Sequence, residues 1–317
     1  MLVTGGAGFI GSHIVDALLG RGHKVTVLDD LSSGSKENIK AHLANPDFRF
    51  ILGDVCDERQ VREALSSVEA VIHEAAIVSV PFSIRNPEGT YRVNLGGTMN
   101  LLRASSEHRV RRFLLASSCA VYGEQKKLPI AEDAPPRPLS PYASSKLAAE
   151  ERCREFFERE GLETVCLRYF NVYGPRQTFG EYAGVMMKFI ERLRADQPPI
   201  IYGDGEQTRD FIHVQDVVEA TLLALERDSA AGEVINIGTG RGVSINELCD
   251  IFLKTAGKTH IKPLHEAQRA GEIRHSQADI EKAKRLLGFR PRVPLAEGVR
   301  RVWTGMGYGD PGSSDRS

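Results

Sequence analysis

Three polar side chains near the middle of the sequence have the types and spacing needed for proton transfer at a hydroxyl group. Tyr142 and Lys146 lie in Pro141-Tyr-Ala-Ser-Ser-Lys146, where the proline indicates a helix start. Residues i and i+4 share one helix face, so a phenol and a cation that favours its ionised form point the same way. Ser118, at the end of an apolar run, would hydrogen-bond the reacting hydroxyl. Taken alone, the pattern also fits a surface helix, and Ser117 and Ser118 also fit a plain strand end.

A glycine-rich turn at the start of the chain predicts a neighbouring binding site. In Met1-Leu-Val-Thr-Gly-Gly-Ala-Gly-Phe-Ile-Gly-Ser-His13, a short apolar strand runs into three spaced glycines. Gly5 allows the strand-to-helix turn, Gly8 lets the backbone approach a pyrophosphate, and Gly11 lets the helix lie against the sheet. The helix dipole then faces the phosphates. Spacing alone would also fit an ordinary turn.

The end of the second strand strengthens the dinucleotide interpretation. Asp29 follows Lys24-Val-Thr-Val-Leu28 and lies 18 residues after Gly11. A carboxylate there accepts hydrogen bonds from an adenosine ribose and repels a 2′-phosphate, which favours NAD over NADP. The alternative is an ordinary helix-capping aspartate. With NAD bound, a nicotinamide cation would add to the effect of Lys146 and make Tyr142 a base near neutral pH.

The order of the elements predicts an α/β fold with a doubly wound parallel sheet of the Rossmann type. Strand-like apolar runs alternate with helical stretches at 25–28, 48–52, 70–73, 113–117 and 164–168. We expect an NAD-binding domain at 1–170, to which roughly 209–237 returns with one further strand at 233–237. A smaller, interleaved α/β substrate lobe is expected at 171–208 and 238–306, and a disordered tail at 307–317.

Two further strand ends and one loop are expected to border the site. Asp54 follows the third strand, where it could reach the adenine amino group or cap the next helix. His73-Glu-Ala-Ala76 ends the fourth strand with small residues that suit a close cofactor approach as well as plain packing. Five prolines between Gly123 and Pro141, Pro141 included, predict a long, stiffened loop.

Composition excludes several classes of function. The 317 residues are 41% hydrophobic with a formal net charge of -1, so neither nucleic acid nor a membrane surface is an expected partner. The sequence contains no run of about 18 apolar residues, the length that could span a bilayer. The chain starts inside its first predicted strand, so we expect no signal peptide. The five cysteines are scattered and predict a reduced, cytoplasmic protein without a metal site: Cys56, Cys119, Cys153, Cys166 and Cys249.

These motifs together resemble the extended short-chain dehydrogenases, and within them the UDP-glucose and UDP-N-acetylglucosamine 4-epimerases. The resemblance runs from Met1 to about Gly288. The residues that carry it are Thr4-Gly-Gly-Ala-Gly-Phe-Ile-Gly-Ser-His13, Asp29, Ser117-Ser-Cys-Ala-Val-Tyr-Gly123, Pro141-Tyr-Ala-Ser-Ser-Lys146 and Arg168-Tyr-Phe-Asn-Val-Tyr-Gly-Pro175.

The resemblance implies a hydride cycle on a tightly held NAD. Tyr142 would take the proton of the sugar's 4-hydroxyl, Ser118 would hold the oxygen, and Lys146 would bind the nicotinamide ribose. The 4-keto sugar would turn over before the hydride returns, with no net redox change. The implied cofactor contacts are Gly5, Gly8, Phe9, Ile10, Gly11, Asp29, Asp54, Val55, Ala75, Ala76, Asn94, Tyr142, Lys146 and Tyr169.

The same resemblance implies the substrate contacts Ser79, Ser118, Tyr142, Asn171, Val185, Tyr202, Arg209, Arg269, Glu272 and Ser276. Asn171, Arg209 and Arg269 match positions at the diphosphate. The two arginines also suit this place chemically, because guanidinium groups match phosphate oxygens. Val185 and Tyr202 match the nucleoside pocket, and Glu272 the ribose. For the two arginines, a surface salt bridge is the alternative.

Ser276 matches the position where these epimerases limit the room beside the sugar's second carbon. A bulky aromatic residue there restricts the site to glucose and galactose, whereas a serine leaves space for an N-acetyl group. We therefore expect N-acetylated UDP-sugars to be accepted. One departure is Val78, where some epimerases have a cofactor-contacting lysine.

Other activities of the superfamily remain open. Dehydratases and decarboxylases carry an acid just after the position of Ser118, where this chain has Cys119 and Ala120. A UDP-glucuronate 4-epimerase is the nearest alternative, because Arg274 could meet a carboxylate. A scaffold or redox sensor that only binds NAD is the alternative outside enzymology. The family resemblance favours a homodimer, and Ala149, Cys153, Phe156 and Phe157 form a stripe that is either core or dimer face.

Overall fold

The computed structural model describes residues 1–177, 184–268 and 271–305. Its strands are β1 Leu2–Thr4, β2 Val25–Asp29, β3 Phe48–Leu52, β4 Ala70–His73, β5 Arg112–Ser118, β6 Glu163–Tyr169, β7 Asn171–Tyr173, β8 Ile200–Tyr202, β9 Thr208–Arg209, β10 Phe211–His213, β11 Val234–Ile237, β12 Val243–Ser244 and β13 Leu264–Glu266. Its α-helices are α1 Phe9–Gly20, α2 Glu58–Ala64, α3 Val80–Arg85, α4 Pro87–Tyr91, α5 Thr98–Glu107, α6 Pro141–Glu160, α7 Val185–Arg194, α8 Val214–Glu226, α9 Ile245–Thr255, α10 Glu281–Leu287 and α11 Leu295–Gly305.

Seven parallel strands form the central sheet in the order β11-β6-β5-β4-β1-β2-β3. Most are continuous apolar runs, as expected of strands covered by helices on both faces, and Leu2 and Val3 in β1 are fully buried. The predicted doubly wound α/β fold is therefore confirmed. The chain reverses its direction of winding between β1 and β4, and ligands bind outside the strand ends at such a point.

The strand expected at 233–237 lies in this sheet, since β11 pairs in parallel with β6. The second lobe has its own buried core, to which α7, α9 and α11 contribute Phe189, Phe252 and Trp303. The exact domain limits stay a prediction, and the expected tail at 307–317 lies outside the described residues. Within the three described ranges, no helix is long and apolar enough to cross a membrane.

The helix that carries Tyr142 and Lys146 begins and ends where its sequence predicts. Ser140 is extended, and its hydroxyl accepts a hydrogen bond from the Ala143 amide at 3.2 Å, while Pro141 occupies the first turn. Gly161 ends α6 in the left-handed conformation, with φ of 70°. The 20-residue helix packs on β5 and β6.

Candidate active site

The glycine turn between β1 and α1 has no room for a side chain at Gly5 or Gly11. Gly5 has φ of +67°, and a Cβ built on it would lie 2.7 Å from the amide nitrogen of Ala75. A Cβ on Gly11 would lie 2.2 Å from the Gly5 carbonyl oxygen. The turn is closed by a hydrogen bond from the Gly8 amide to the Gly5 carbonyl at 3.0 Å. The next residue, Phe9, begins α1. The amide groups in the first turn of a helix have no partner within that helix.

Asp29 fixes this turn from the end of β2. Its Oδ2 accepts a hydrogen bond from the Ala7 amide at 2.9 Å, and its Oδ1 accepts one from the Leu31 amide at 2.8 Å. The side chain is buried, which raises the pKa of its carboxyl group. The alternative of a helix cap does not hold, because Ser35 caps the short helix that follows.

These features fit a dinucleotide. The backbone of the turn can approach a pyrophosphate closely because its glycines leave no side chain between, and the α1 N-terminus faces the same place. Ala75 lies directly against Gly5, and its amide donates to the Thr4 hydroxyl at 3.3 Å. The carboxylate of Asp29 stands beside the turn, where a ribose would follow the pyrophosphate.

Ser118, Tyr142 and Lys146 meet at the carboxyl end of β5. The Ser118 hydroxyl lies close enough to the phenol of Tyr142 to lower its pKa. The Ser118 oxygen also accepts from the Ala120 amide at 3.1 Å. Lys146, one helical turn beyond Tyr142, is buried and donates from Nζ to the Ala116 carbonyl at 2.8 Å. The structure thus brings the three predicted chemical groups together.

The protein groups around Tyr142 raise the pKa of its phenol. Burial raises its pKa to about 12, and the nearby Ser118 hydroxyl only partly offsets this. Burial also lowers the pKa of Lys146 to about 8. The chain alone therefore does not make Tyr142 a base near neutral pH, because desolvation of the phenolate outweighs the stabilising groups around it.

On the substrate side, the structure joins two of the predicted residues. Arg209 contacts Glu272 at 3.3 Å and donates to the Thr208 carbonyl at 2.8 Å. Burial lowers the pKa of Arg209, and Oε2 of Glu272 is buried with no hydrogen-bond partner among the described residues. The pair is therefore a partly buried salt bridge with one carboxylate oxygen left for another donor.

Ser276 lies beside Cys119, the residue that follows Ser118. Its amide donates to the Thr208 carbonyl at 3.1 Å, and its hydroxyl is close enough to the Cys119 thiol to lower the pKa of that thiol. Burial raises the pKa of the Cys119 thiol to about 11, so this cysteine is neutral and its contacts are those of packing. A small side chain thus faces the position where the reacting sugar would lie.

The profile of the NAD-dependent epimerase/dehydratase family matches residues 1–238. The chain belongs to this family. A putative UDP-glucose 4-epimerase of Methanocaldococcus jannaschii is 43% identical over 305 residues, which are 95% of this chain and 96% of that protein.

Two solved structures are similar over almost the whole chain. The UDP-glucose 4-epimerase of Thermotoga maritima with UDP-glucose has a TM-score of 0.91 at 40% identity, covering 96% of this chain and 97% of that one. The UDP-N-acetylglucosamine 4-epimerase of Methanobrevibacter ruminantium M1 in complex with UDP-N-acetylmuramic acid has a TM-score of 0.90 at 38% identity, covering 97% and 98%. The resemblance inferred from the motifs is confirmed.

Several residues expected at the cofactor of this epimerase/dehydratase family member also have structural partners. Asn94 is buried, and its side chain accepts a hydrogen bond from the Ile77 amide and donates to the Ile77 carbonyl and the Ser145 hydroxyl. These bonds join the loop after β4 to α6. Val55 is buried against Gly97. Asp54 accepts from the Cys56 amide rather than capping α2, which Asp57 caps.

For the remaining expected substrate contacts, the structure gives a position in the fold. Ser79 caps α3 by accepting from the Phe82 amide at 3.1 Å, and Val185 is the first residue of α7. Asn171 and Tyr202 are half-buried on β7 and β8. Arg269 lies outside the described residues.

Sequence reasoning missed three carboxyl groups of this family member, of which Asp210 and Glu150 are buried and Glu74 is half-buried. Asp210, fully buried, accepts from the amides of Thr239, Gly240 and Ala278 and so holds the segment that leads to Ser276. Glu150, on α6 itself, pairs with Arg168 of β6. Glu74, at the end of β4, contacts the Tyr169 hydroxyl. Only Glu150 had a signal, since it continues the i, i+4 spacing of Tyr142 and Lys146.

Proposed function

We propose that this enzyme interconverts a UDP-hexose and its 4-epimer through a transient 4-keto sugar. The observation that carries the proposal is the closeness of the Ser118 hydroxyl to the Tyr142 phenol, with Lys146 one turn further along α6. A serine hydroxyl and a phenol that meet at one point can hold and deprotonate a single sugar hydroxyl. The family and the 4-epimerase relatives support this reaction.

Each residue has a distinct part in the reaction. Ser118 holds the sugar's 4-oxygen, and Tyr142 takes its proton and later returns it. Lys146 contributes a positive charge beneath the site and binds the nicotinamide ribose. Bound NAD supplies an acceptor for the hydride of carbon 4 and the positive charge that favours an ionised Tyr142. Because the hydride returns to the same carbon, no external oxidant is consumed.

The far side of the site suits a nucleotide sugar. We assign Asn171, Arg209 and Arg269 to the diphosphate, Val185 and Tyr202 to the nucleoside, and the free oxygen of Glu272 to a ribose hydroxyl. Within the described part of the chain this buried oxygen has no donor, which favours a ligand hydroxyl, since a buried acceptor without a partner costs about 1–3 kcal/mol. The small Ser276 leaves room for an N-acetyl group, and we propose that both the plain and the N-acetylated UDP-hexoses are substrates.

UDP-glucuronate is the second candidate substrate, and the structure weakens its main support. Arg274 forms a two-bond contact with Asp204, at 2.7 and 2.8 Å, and its amide donates to Glu124. Its guanidinium group is therefore already paired with a carboxylate of the chain. A 4,6-dehydratase or a decarboxylase would need an acid where Cys119 and Ala120 stand.

The deciding experiment is turnover of UDP-galactose and UDP-N-acetylgalactosamine by the purified protein without added reductant. We expect conversion of both sugars, and a loss of about 100-fold or more in the Tyr142→Phe variant. Tyr91→Phe, a phenol on α4, serves as the matched control and should retain activity. Conversion of UDP-glucuronate alone would favour the second candidate, and undiminished activity of Tyr142→Phe would reject the assigned base.

We also propose that the protein is a cytoplasmic homodimer. On α6, Ala149 and Cys153 are core, whereas Phe157 is exposed. The short helices α3 and α4, which pack on α6, expose Ile84 and Tyr91. These apolar side chains support a second copy as the occupant of that face. Sedimentation equilibrium should give twice the mass of the chain, and a monomer at micromolar concentration would reject the dimer. All five cysteines are free, which supports a reducing compartment that cell fractionation can test.

A further inference from the structure

A buried carboxyl group to which the proposed reaction assigns no part lies between β9 and β10. The side chain of Asp210 is fully buried. Its Oδ1 accepts hydrogen bonds from the hydroxyl of Thr239 and, at 2.7 Å, from the amide of the same residue. Its Oδ2 accepts from the amides of Gly240 and Ala278 at 2.9 and 3.1 Å. A buried carboxylate needs such donors because it has lost its hydration. Here the donors come from two separate segments, the turn after β11 and the segment that carries Ser276.

The backbone of Asp210 connects two residues that are expected at the diphosphate. Arg209 precedes Asp210 in the chain, and the Asp210 carbonyl accepts a hydrogen bond from the Asn171 amide at 2.9 Å. This bond belongs to the parallel pairing of β10 with β7, in which Phe211 lies opposite Asn171. A displacement of Asp210 would therefore move Arg209 and Asn171 together.

The carboxylate of Asp210 extends this connection to the sugar side of the site. The Ser276 amide donates to the Thr208 carbonyl at 3.1 Å, and two residues further along each segment the Ala278 amide donates to Asp210. Of these two bonds, only the second depends on a side chain. Gly238 lies against it, since a Cβ built on Gly238 would lie 2.7 Å from Cβ of Ala278 and 2.9 Å from Oδ2 of Asp210. The contact between the two segments therefore has no room for a further atom at Gly238.

We propose that Asp210 is a positioning residue that fixes Arg209 and Asn171, on the diphosphate side of the substrate, relative to Ser276 on the sugar side. The inference rests on the proposed function, which assigns these three residues to the substrate. The bonds of Asp210 run to β7, to the turn after β11 and to the segment with Ser276, whereas the groups that move the proton lie on β5 and α6. Asp210 thus acts on how the UDP-sugar is bound, and leaves proton transfer and NAD binding to other residues.

The first test is Asp210→Asn, read by steady-state kinetics and by calorimetric binding of UDP. The amide keeps the size of the side chain, but its NH2 group cannot accept a hydrogen bond, so at least one backbone amide loses its partner. The remaining bonds lose the assistance of the charge. We expect KM for UDP-galactose and Kd for UDP to rise about tenfold or more, with kcat within about threefold and the affinity for NAD within about twofold of the wild type. A merely structural role would lower kcat at unchanged KM, through loss of active enzyme, and would overturn the proposal.

Asp216 on α8 offers a matched control. It is also a buried carboxyl group that accepts from two backbone amides, those of Arg292 and Val293 at 2.9 and 3.1 Å. Asp216→Asn should lose stability in urea, as Asp210→Asn does, but should keep the wild-type KM and the wild-type affinity for UDP. An equal rise of KM in the two variants would show that any loosening of this part of the fold has the same effect, and the positioning role would be rejected.

Gly238→Ala tests the link to the sugar side while Asp210 stays in place, and it remains available if Asp210→Asn does not fold. The new methyl group must push Ala278 away from the carboxylate, and Ser276 with it. Calorimetry should show a Kd for UDP-galactose about tenfold higher and a Kd for UDP within about twofold of the wild type. Unchanged binding of UDP-galactose would overturn the link to Ser276.

The same binding measurements separate this inference from the proposed function. If the wild type binds UDP but converts no UDP-sugar, the proposed reaction fails, and the UDP affinities of Asp210→Asn and Asp216→Asn still decide the role of Asp210. If the wild type does not bind UDP, the assignment of Arg209 and Asn171 to the diphosphate fails, and the inference fails with it.

Discussion

Arg168 and Glu150 form a buried two-bond pair, with Nε and Nη2 of Arg168 at 2.9 and 2.7 Å from the two carboxylate oxygens of Glu150. The Ser117 hydroxyl donates to the same carboxylate. Tyr142, Lys146 and Glu150 follow at intervals of four residues on α6. The pair thus fixes the helix face that carries the proposed base against β5 and β6.

Removing the negative partner should destabilise the protein. Glu150→Gln leaves Arg168 buried without a counter-charge, and we expect a loss of about 3 kcal/mol in the free energy of unfolding. Since α6 also loses its anchor, kcat should fall as well. Urea unfolding at pH 7 and steady-state kinetics measure the two effects. Glu151→Gln, an exposed neighbour, is the control, and equal stability of the two variants would contradict the anchoring role.

The glycine turn predicts a sharp contrast between two Gly→Ala changes on α1. In Gly11→Ala, the new methyl group would lie 2.2 Å from the Gly5 carbonyl oxygen, so the turn must open. We expect NAD binding, measured by calorimetry, to weaken at least tenfold. In Gly20→Ala nothing lies within 4 Å of the new atom, and the helix should gain up to about 1 kcal/mol. Unchanged NAD binding in Gly11→Ala would remove the turn from the cofactor site.

The size of residue 276 should control the choice of sugar. Ser276→Tyr fills the space beside Cys119, so the rate on UDP-N-acetylgalactosamine should fall at least tenfold relative to that on UDP-galactose. Ser276→Ala keeps the space and should keep the ratio. Competition assays with both sugars measure this ratio directly. The same ratio in all three proteins would place the N-acetyl group elsewhere.

Two buried histidines predict a loss of stability in acid. Burial lowers the pKa of His73 to about 3 and that of His213 to about 4, against 6.5 for an ordinary histidine. Because the unfolded chain binds protons that the folded chain rejects, their stabilising effect is complete above pH 6.5 and falls as the pH drops toward these values. Each contributes a slope of about 1.4 kcal/mol per pH unit in that window.

The measurement is urea unfolding at pH 7 and at pH 5. His73→Gln should show a smaller difference between the two than the wild type, because glutamine does not titrate. His260→Gln, at an exposed position, should retain the wild-type difference. A variant of His73 with the full wild-type pH dependence would show that this histidine is not the titrating group.

The sequence by itself determined the fold and the chemical centre. Local signals were enough for this: the glycine spacing, Asp29 and the apolar strands. They specify backbone conformation over a few residues and place the strand ends at one edge of the sheet. Tyr142, Lys146 and Ser118 were found because helical periodicity and a strand end place them without knowledge of distant contacts. The start of α6 at Pro141 and its end before Gly161 also follow from local backbone preferences.

The tertiary structure alone decided what those groups experience. Whether the Tyr142 phenol has a low or a high pKa depends on how many atoms from distant parts of the chain exclude water from it. The local charge pattern predicted a lowered pKa, whereas burial in the protein raises it. Asp210 binds amides 29 to 68 residues away, and Glu74 meets Tyr169 across 95 residues. Hydrogen bonds and desolvation of this kind arise only when the sheet brings separate strand ends together, and no spacing in the sequence encodes them.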